Sequence, residues 1–372
     1  MTMPSEMPSK TSSKMPADSQ RGVALLTILL LVVSITVVAG SMLASQKIAI
    51  RRSGLIFNQD QLLQDINAGQ QLAVTIIRAD DKLNDTDSAQ DIWAQPLPPY
   101  TLGTHSITTE LRDEASRFNI NNLYHDGETN TAALDVFQRL LSQLNLNPEI
   151  AIAVLDWQDV DSEVYKDGGD ESVVYAQQAN NSAEKTLPNQ PFVTIDQLQA
   201  VRGISPEVLA ALRPYITAVP YFLPINVNTA SPILLGALVE EVTSEQMRTL
   251  TDLRAQQVLD SVDDLWQLPP LNSMSTEQSQ ALTPLLAVDS QAFMALITAT
   301  DTTNIGAPRQ RFATILISKI SPSGDNDDET NNNNNANANN NSNNNANNKN
   351  DKPKLVTVVS QRLWAFRPIS NF

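Results

Sequence analysis

The sequence predicts an α+β protein: a long N-terminal helix on an antiparallel β-sheet, with a large all-α domain inserted into that sheet. Three observations predict it. An uncharged apolar run opens the chain and passes into an amphipathic stretch of helical period. Alternating, β-branched segments stand at 104–113 and again at 312–320 and 355–360. Between these flanks, 131–288 is almost entirely helical in pattern.

Residues 1–21 are rich in Ser, Pro, Met and Lys and show no apolar period, so they read as a disordered leader. The uncharged run 22–45 follows. At ~1.5 Å per residue it makes a helix of roughly 36 Å, long enough for a bilayer core of about 30 Å. Beyond Lys47, Arg51 and Arg52, the residues Leu62, Leu63, Ile66, Leu72, Ala73, Ile76 and Ile77 recur at helical spacing, so the helix continues past the membrane. Residues 80–99 are polar and end in Pro96, Pro98 and Pro99, which predicts a loop. The strand 104–113 comes next, then Arg117-Phe118-Asn119-Ile120-Asn121.

In the helical block, Val136, Leu140, Leu141 and Leu144 share one face, and Pro148 opens the next helix. A weak internal repeat aligns 194–201 with 261–268. Each copy starts on a hydroxyl N-cap, Thr194 or Ser261, and continues through a turn into a second helix that ends near Pro214 or Pro284. These pairs look like helix-hairpin-helix units. The strand pattern then returns at Phe312, and the Asn-dominated tract 325–350 between the last two strands is too polar to order itself.

Composition excludes several functions. The net charge of −16 and pI near 4.5 oppose binding to a phosphate backbone. Without cysteine there is neither a disulfide framework nor thiolate chemistry. His105 and His125 stand in no metal-ligand spacing, and no nucleophile elbow or phosphate loop occurs, so no enzyme is predicted. The hairpin 201–207 and the stretch 225–232 do resemble DNA-binding helix-hairpin-helix proteins. Glu207 would repel phosphate there, and Ser205 with Pro206 is already a sufficient helix start.

The densest chemical signal is the loop 156–171, where Asp156, Asp159, Asp161, Glu163, Asp167, Asp170 and Glu171 stand against one lysine, Lys166. Such crowding repels itself unless a cation collects it, and calcium takes six to eight oxygens. Asp159, Asp161 and Glu163 alternate like the first ligands of an EF-hand, but Val164 replaces the required glycine. A solvated acidic loop is the alternative.

A polar leader ending at Arg21-Gly22 directly before a long aliphatic helix resembles the prepilin class. That resemblance implies cleavage after Gly22 by prepilin peptidase, with Val23 as the mature N-terminus; a plain signal anchor is the alternative. Most members carry Glu at the fifth mature position, where this chain has Thr27. The missing Glu, the "RFNxN" stretch at 117–121, the acidic loop and the Asn228-Thr229-Ala230-Ser231 stretch together resemble the protein K family of type II secretion, the largest minor pseudopilin.

The resemblance implies a pilin-like fold with these boundaries: leader 1–22, transmembrane helix 23–45, first pilin-like part 46–125, inserted α-domain 126–300, and C-terminal strands 301–372. It implies structural calcium in the acidic loop, although Gly169-Asp170-Glu171 shifts the outer ligands from the family form. It also implies a single-pass inner-membrane protein with a cytoplasmic N-terminus and a periplasmic globular part. Its partners would be the I and J minor pseudopilins, the major pseudopilin and membrane lipid, with no nucleic acid. It would cap or initiate the pseudopilus that drives export of folded proteins across the outer membrane. A membrane-anchored DNA-uptake protein and a membrane-anchored periplasmic hydrolase are the competing readings.

Overall fold

The computed structural model describes residues 17–166, 189–240, 242–302, 308–320 and 354–368. The Asn-rich tract and most of the predicted leader lie outside the described residues.

Two units are described separately, residues 1–61 and 62–372. Helix α1 runs Ala17–Asp80. In the first unit every described side chain from Gly22 to Phe57 is exposed, and the run has a mean hydropathy of 2.8 in its most apolar window. By length and composition it can cross a membrane.

In the second unit, Leu62, Ile66, Ala73, Val74 and Ile77 of α1 are buried at helical spacing against one sheet face. The sheet contains β1 (Tyr100–Leu102), β2 (His105–Asp113), β3 (Ala292–Asp301), β4 (Arg309–Ile320) and β5 (Leu355–Trp364). The strands lie in that order, each antiparallel to the next. Register pairs Ile107 with Ala299 and Ile297 with Ala313, alternating branched and small side chains under the helix. Gly69 makes the close approach possible: a Cβ there would lie 2.6 Å from Ile297 Cγ2.

The insertion lies in the β2–β3 connection, and its ends meet where Glu114 N–H donates to Ala292 O at 2.9 Å. The sequence placed these boundaries at 126 and 300. Phe118, Ile120 and Leu123 instead belong to the insertion's core. At the other end, β3 reads as Ala-Phe-Met-Ala-Leu-Ile and lacks the alternation of a one-sided strand. It is buried on both faces, so its apolar run resembles the helical block before it.

The insertion is a repeat, and it is longer than the sequence showed. The first copy comprises Phe118–Asn119, α2 (Thr131–Gln143), α3 (Ile150–Asp156), a 3-10 helix Ile195–Ala200, α4 (Pro206–Leu212) and Ile216–Thr217. The second comprises Ile225–Asn226, α5 (Pro232–Gly236), α6 (Ser244–Gln256), α7 (Val262–Gln267), α8 (Thr276–Leu282) and Leu286–Ala287. In each copy the opening and closing strands pair in parallel.

Side-chain amides repeat with the elements. Asn119 Oδ1 accepts from Asn121 N–H, as Asn226 Oδ1 accepts from Asn228 N–H. Asn121 then bonds both N–H and O of Phe192, at 2.8 and 2.9 Å. Asn228 bonds both N–H and O of Leu259, each at 3.0 Å. Phe192 and Leu259 stand two residues before Thr194 and Ser261, the N-caps already visible in the sequence. Buried backbone outside a ladder needs such partners, and asparagine supplies a donor and an acceptor together.

Candidate functional site

The acidic loop hangs from the C-terminal end of α3. Asp156 is fully buried and its Oδ1 accepts from Tyr165 N–H at 3.2 Å, which folds the chain back on itself. Trp157 stacks on Phe192, with ring centroids 5.6 Å apart. Buried Gln158 donates to Ile120 O and Val154 O. These contacts tie the base of the loop to the core, with Asp156 and Asp159 buried and Asp161 and Glu163 at the rim.

Asp159 is buried, and its Oδ1 has no hydrogen-bond partner. Burial, with Asp161 and Asp156 nearby, pushes its carboxyl up to about 7. Asp161 and Glu163 are exposed, and Asp161 Oδ1 accepts from Glu163 N–H at 2.8 Å. Across the loop, Asn189 donates to Asp161 O at 3.2 Å while its own Oδ1 is buried without a partner. Asp167, Asp170 and Glu171 lie outside the described residues. An oxygen-only set holding two orphaned buried oxygens fits a hard cation.

A second carboxylate group was missed in the sequence, where 80–99 read only as a polar loop. Asp80, Asp87 and Asp91 each bring one oxygen within 4.8 Å of the others. Burial, then the neighbouring Asp91 and Asp87, push the Asp80 carboxyl up to about 7. Trp93 closes the loop from the core side, edge-on to Phe293 at 5.1 Å. The available signal was the density of Asp around Asn84, from Asp80 to Asp91.

The hairpin that resembled a phosphate cradle is occupied by protein. A Cβ on Gly203, at φ +83°, would lie 3.2 Å from Ile150 Cγ1, so the turn packs onto α3. In the stretch 225–232, Asn226 Nδ2 donates to Asp87 O and Ser290 Oγ, and Thr229 Oγ1 donates to Asp113. Its polar groups serve the interior. His105 Nδ1 lies 2.7 Å from Asp65 Oδ2, joining β2 to α1. At the N-terminal end, Thr27 Oγ1 donates to Ala24 O at 2.9 Å, within α1. Gly22 and Val23 are exposed on the same helix.

Comparison with known proteins reaches this same framework. Models of the type II secretion system (T2SS) protein K family match residues 116–221 and 225–289, and the division falls between the two repeat copies. Type II secretion system protein K of Klebsiella pneumoniae is 30% identical over 291 residues, covering 74% of this chain and 87% of that protein. The protein K of Pseudomonas aeruginosa is 28% identical over 275 residues, covering 71% and 81%. A crystal structure of the GspK-GspI-GspJ complex from enterotoxigenic Escherichia coli contains a chain of the same fold. Its TM-score is 0.64 at 20% identity, over 84% of this chain and 99% of that one. The chain belongs to the protein K family of the type II secretion system.

Proposed function

We propose that this minor pseudopilin occupies the tip of the periplasmic pseudopilus, beside the I and J components. The crystallised relative is described in a complex with GspI and GspJ, which supports the choice of neighbours. The observation that carries the tip position is Thr27. Its hydroxyl is bonded to Ala24 O and offers no carboxylate. An acid in lipid persists where it finds a partner, and in a fibre that partner is the amine of the adjoining subunit. A subunit without the acid fits the position that has nothing above it, whether it caps the fibre or initiates it.

On this reading the apolar part of α1 anchors the chain once in the inner membrane, with the N-terminus cytoplasmic and residues from 62 onward periplasmic. Prepilin peptidase cuts between Gly22 and Val23, and the protein has an assembly role without catalytic turnover. The test is the N-terminal residue of membrane-extracted protein, with and without the peptidase. A start at Val23 that depends on the peptidase is expected. A chain that keeps Met1 in both strains overturns the fibre account and leaves a plain signal anchor.

Calcium in the 156–171 loop belongs to the same proposal, held by Asp156, Asp159, Asp161 and Glu163, with Asp167, Asp170 and Glu171 as further ligands. The ion would neutralise the crowded acids and fix the loop on α3. The orphaned oxygens of Asp159 and Asn189 support this reading. Chelation is expected to lower the Tm of the full chain and to do so much less in Asp159→Asn; an equal loss in both would remove Asp159 from the site.

A further inference from the structure

The loop between α1 and the Ile92–Ala94 turn gathers more negative charge than its lysines offset. Lys319 Nζ donates to Asp87 Oδ2 at 2.6 Å and stands 3.8 Å from Asp81 Oδ1. Lys354 Nζ lies 3.6 Å from Asp81 Oδ1 and 3.0 Å from Asp289 Oδ2. With Asp80 and Asp91 added, five carboxylates share two ammonium groups. Asp80 and Asp87 are 2% and 1% exposed, so water screens this imbalance poorly.

A crowd of acids alone marks no site. The separate observation is Asp87 Oδ1, a buried carboxylate oxygen that no N–H or hydroxyl reaches, so that only a cation or a proton on the neighbouring Asp80 carboxyl can serve it. The other oxygen of the same group is saturated by Lys319 and by Ser290 N–H at 2.7 Å. A buried anionic oxygen left without a donor is strongly unfavourable. The three oxygens are close enough to share one metal ion. Oxygens bound to calcium at ~2.4 Å lie at most about 4.8 Å apart across the ion. Asp80, Asp87 and Asp91 each bring one oxygen inside that limit.

Asn84 adds a fourth group: its Nδ2 lies 3.4 Å from Asp80 Oδ1 and 3.3 Å from Asp91 Oδ1. An amide turned over presents oxygen in place of nitrogen. Asp91 is only half-buried, which leaves a side open to water.

We propose that the 80–91 loop binds a calcium-sized divalent cation through Asp80, Asp87 and Asp91, with Asn84 and water completing the shell. The ion fastens the end of α1 to the core beside β4, because Asp80 is the last residue of α1 and Asp87 is held by Lys319 of β4. This site is distinct from the 156–171 loop, and each loop has its own tryptophan: Trp93 two residues past Asp91, and Trp157 next to Asp156.

The test uses the full chain in detergent micelles with terbium(III), which occupies calcium sites and emits when a nearby tryptophan is excited. Calcium stoichiometry is measured alongside by equilibrium dialysis. Trp93→Phe is expected to remove one component of the calcium-displaceable emission, and Trp157→Phe to leave that component in place. Trp93 Nε1 has no hydrogen-bond partner, so the replacement loses no bond. Asp91→Asn, at a half-buried position, is expected to weaken that component by at least about tenfold and to lower the bound calcium by one equivalent. Asp159→Asn should leave it unchanged. The proposal is overturned if emission and stoichiometry are indifferent to both Trp93→Phe and Asp91→Asn. It is equally overturned if the full chain gives no calcium-displaceable emission sensitised by Trp93, which would leave Asp80 and Asp87 sharing a proton.

Discussion

The two copies of the inserted repeat share a plan and differ most in one connection. Between its second and third helices the first copy carries residues 157–194, and the second carries only 257–261. Both connections end identically, with an asparagine amide pairing the backbone two residues ahead of a hydroxyl N-cap. The acidic loop is therefore an addition to a scaffold that closes without it. Its base is locked by Asp156, Gln158 and the Trp157–Phe192 stack. The second copy closes with five residues where the first uses a long acidic loop, so the closure itself does not require that loop.

The sharpest way to break this comparison is to remove the matched amides. Asn121→Ala strands Phe192 N–H and O in the interior, while Val219 O, which Asn121 also bonds, keeps the Asn119 amide. Asn228→Ala strands Leu259 N–H and O. Each orphaned buried group costs roughly 1–3 kcal/mol, so each variant should lose about 2–5 kcal/mol in urea unfolding. Only Asn121→Ala should also weaken calcium binding at the acidic loop, because Phe192 stacks on Trp157. Equal calcium affinity in both variants would separate the loop from the repeat's closure.

The next largest effect lies outside both copies and serves as their control. Gly69→Ala places a methyl 2.6 Å from Ile297 Cγ2 and 3.0 Å from Ile107 Cγ2, between two strands that cannot retreat independently. Overpacking of this kind costs about 1–3 kcal/mol, offset in part by the ~1 kcal/mol gain in helix propensity. A lower Tm with unchanged calcium binding at the acidic loop is expected. A stabilised variant would show that α1 does not rest as closely on the sheet as its packing indicates.

The contrast between the copies also explains what the sequence revealed. The Thr194 and Ser261 caps were legible because a capped helix start is a local pattern. The preceding half was not. Asn119-Ile120-Asn121 and Asn226-Val227-Asn228 are the same device, but their partners lie 71 and 31 residues downstream of Asn121 and Asn228, at distances set by the unequal connection. Burial decides what these asparagines do, and burial of a polar residue has no periodic signature. The α1 stripe and strand β2 were visible by period. Strand β3, buried on both faces, was not, and neither was the Asp80–Asp91 group, which forms only when the loop closes over Trp93.

The smallest predicted effect concerns how each copy is joined to the sheet. Adjacent acids at the end of β2 hold one copy each: Glu114 accepts from Thr217 Oγ1 of the first, and Asp113 accepts from Thr229 Oγ1 beside the second. Their electrostatics are opposite. Burial pushes Asp113 up to about 7 against the hydrogen bonds from Thr229 and Ala115. For Glu114, burial acts upward too, but Arg112 and Arg117 outweigh it and hold the carboxyl below its ordinary value.

The signs follow by linkage. Folded Asp113 keeps a proton that the unfolded chain has released, so its contribution is full below the unfolded value near 4 and is lost as pH rises through about 7. Glu114 contributes above its unfolded value and loses that contribution only as pH falls through its lowered one. Between pH 6 and 8 the Asp113 contribution should decline by about 1 kcal/mol. Asp113→Asn removes that slope while costing about 1 kcal/mol for the altered hydrogen bonds. Urea midpoints of the two proteins at both pH values decide the matter. Parallel midpoints would mean that Asp113 is already ionised in the folded protein, and that the two copies are joined to the sheet by the same chemistry.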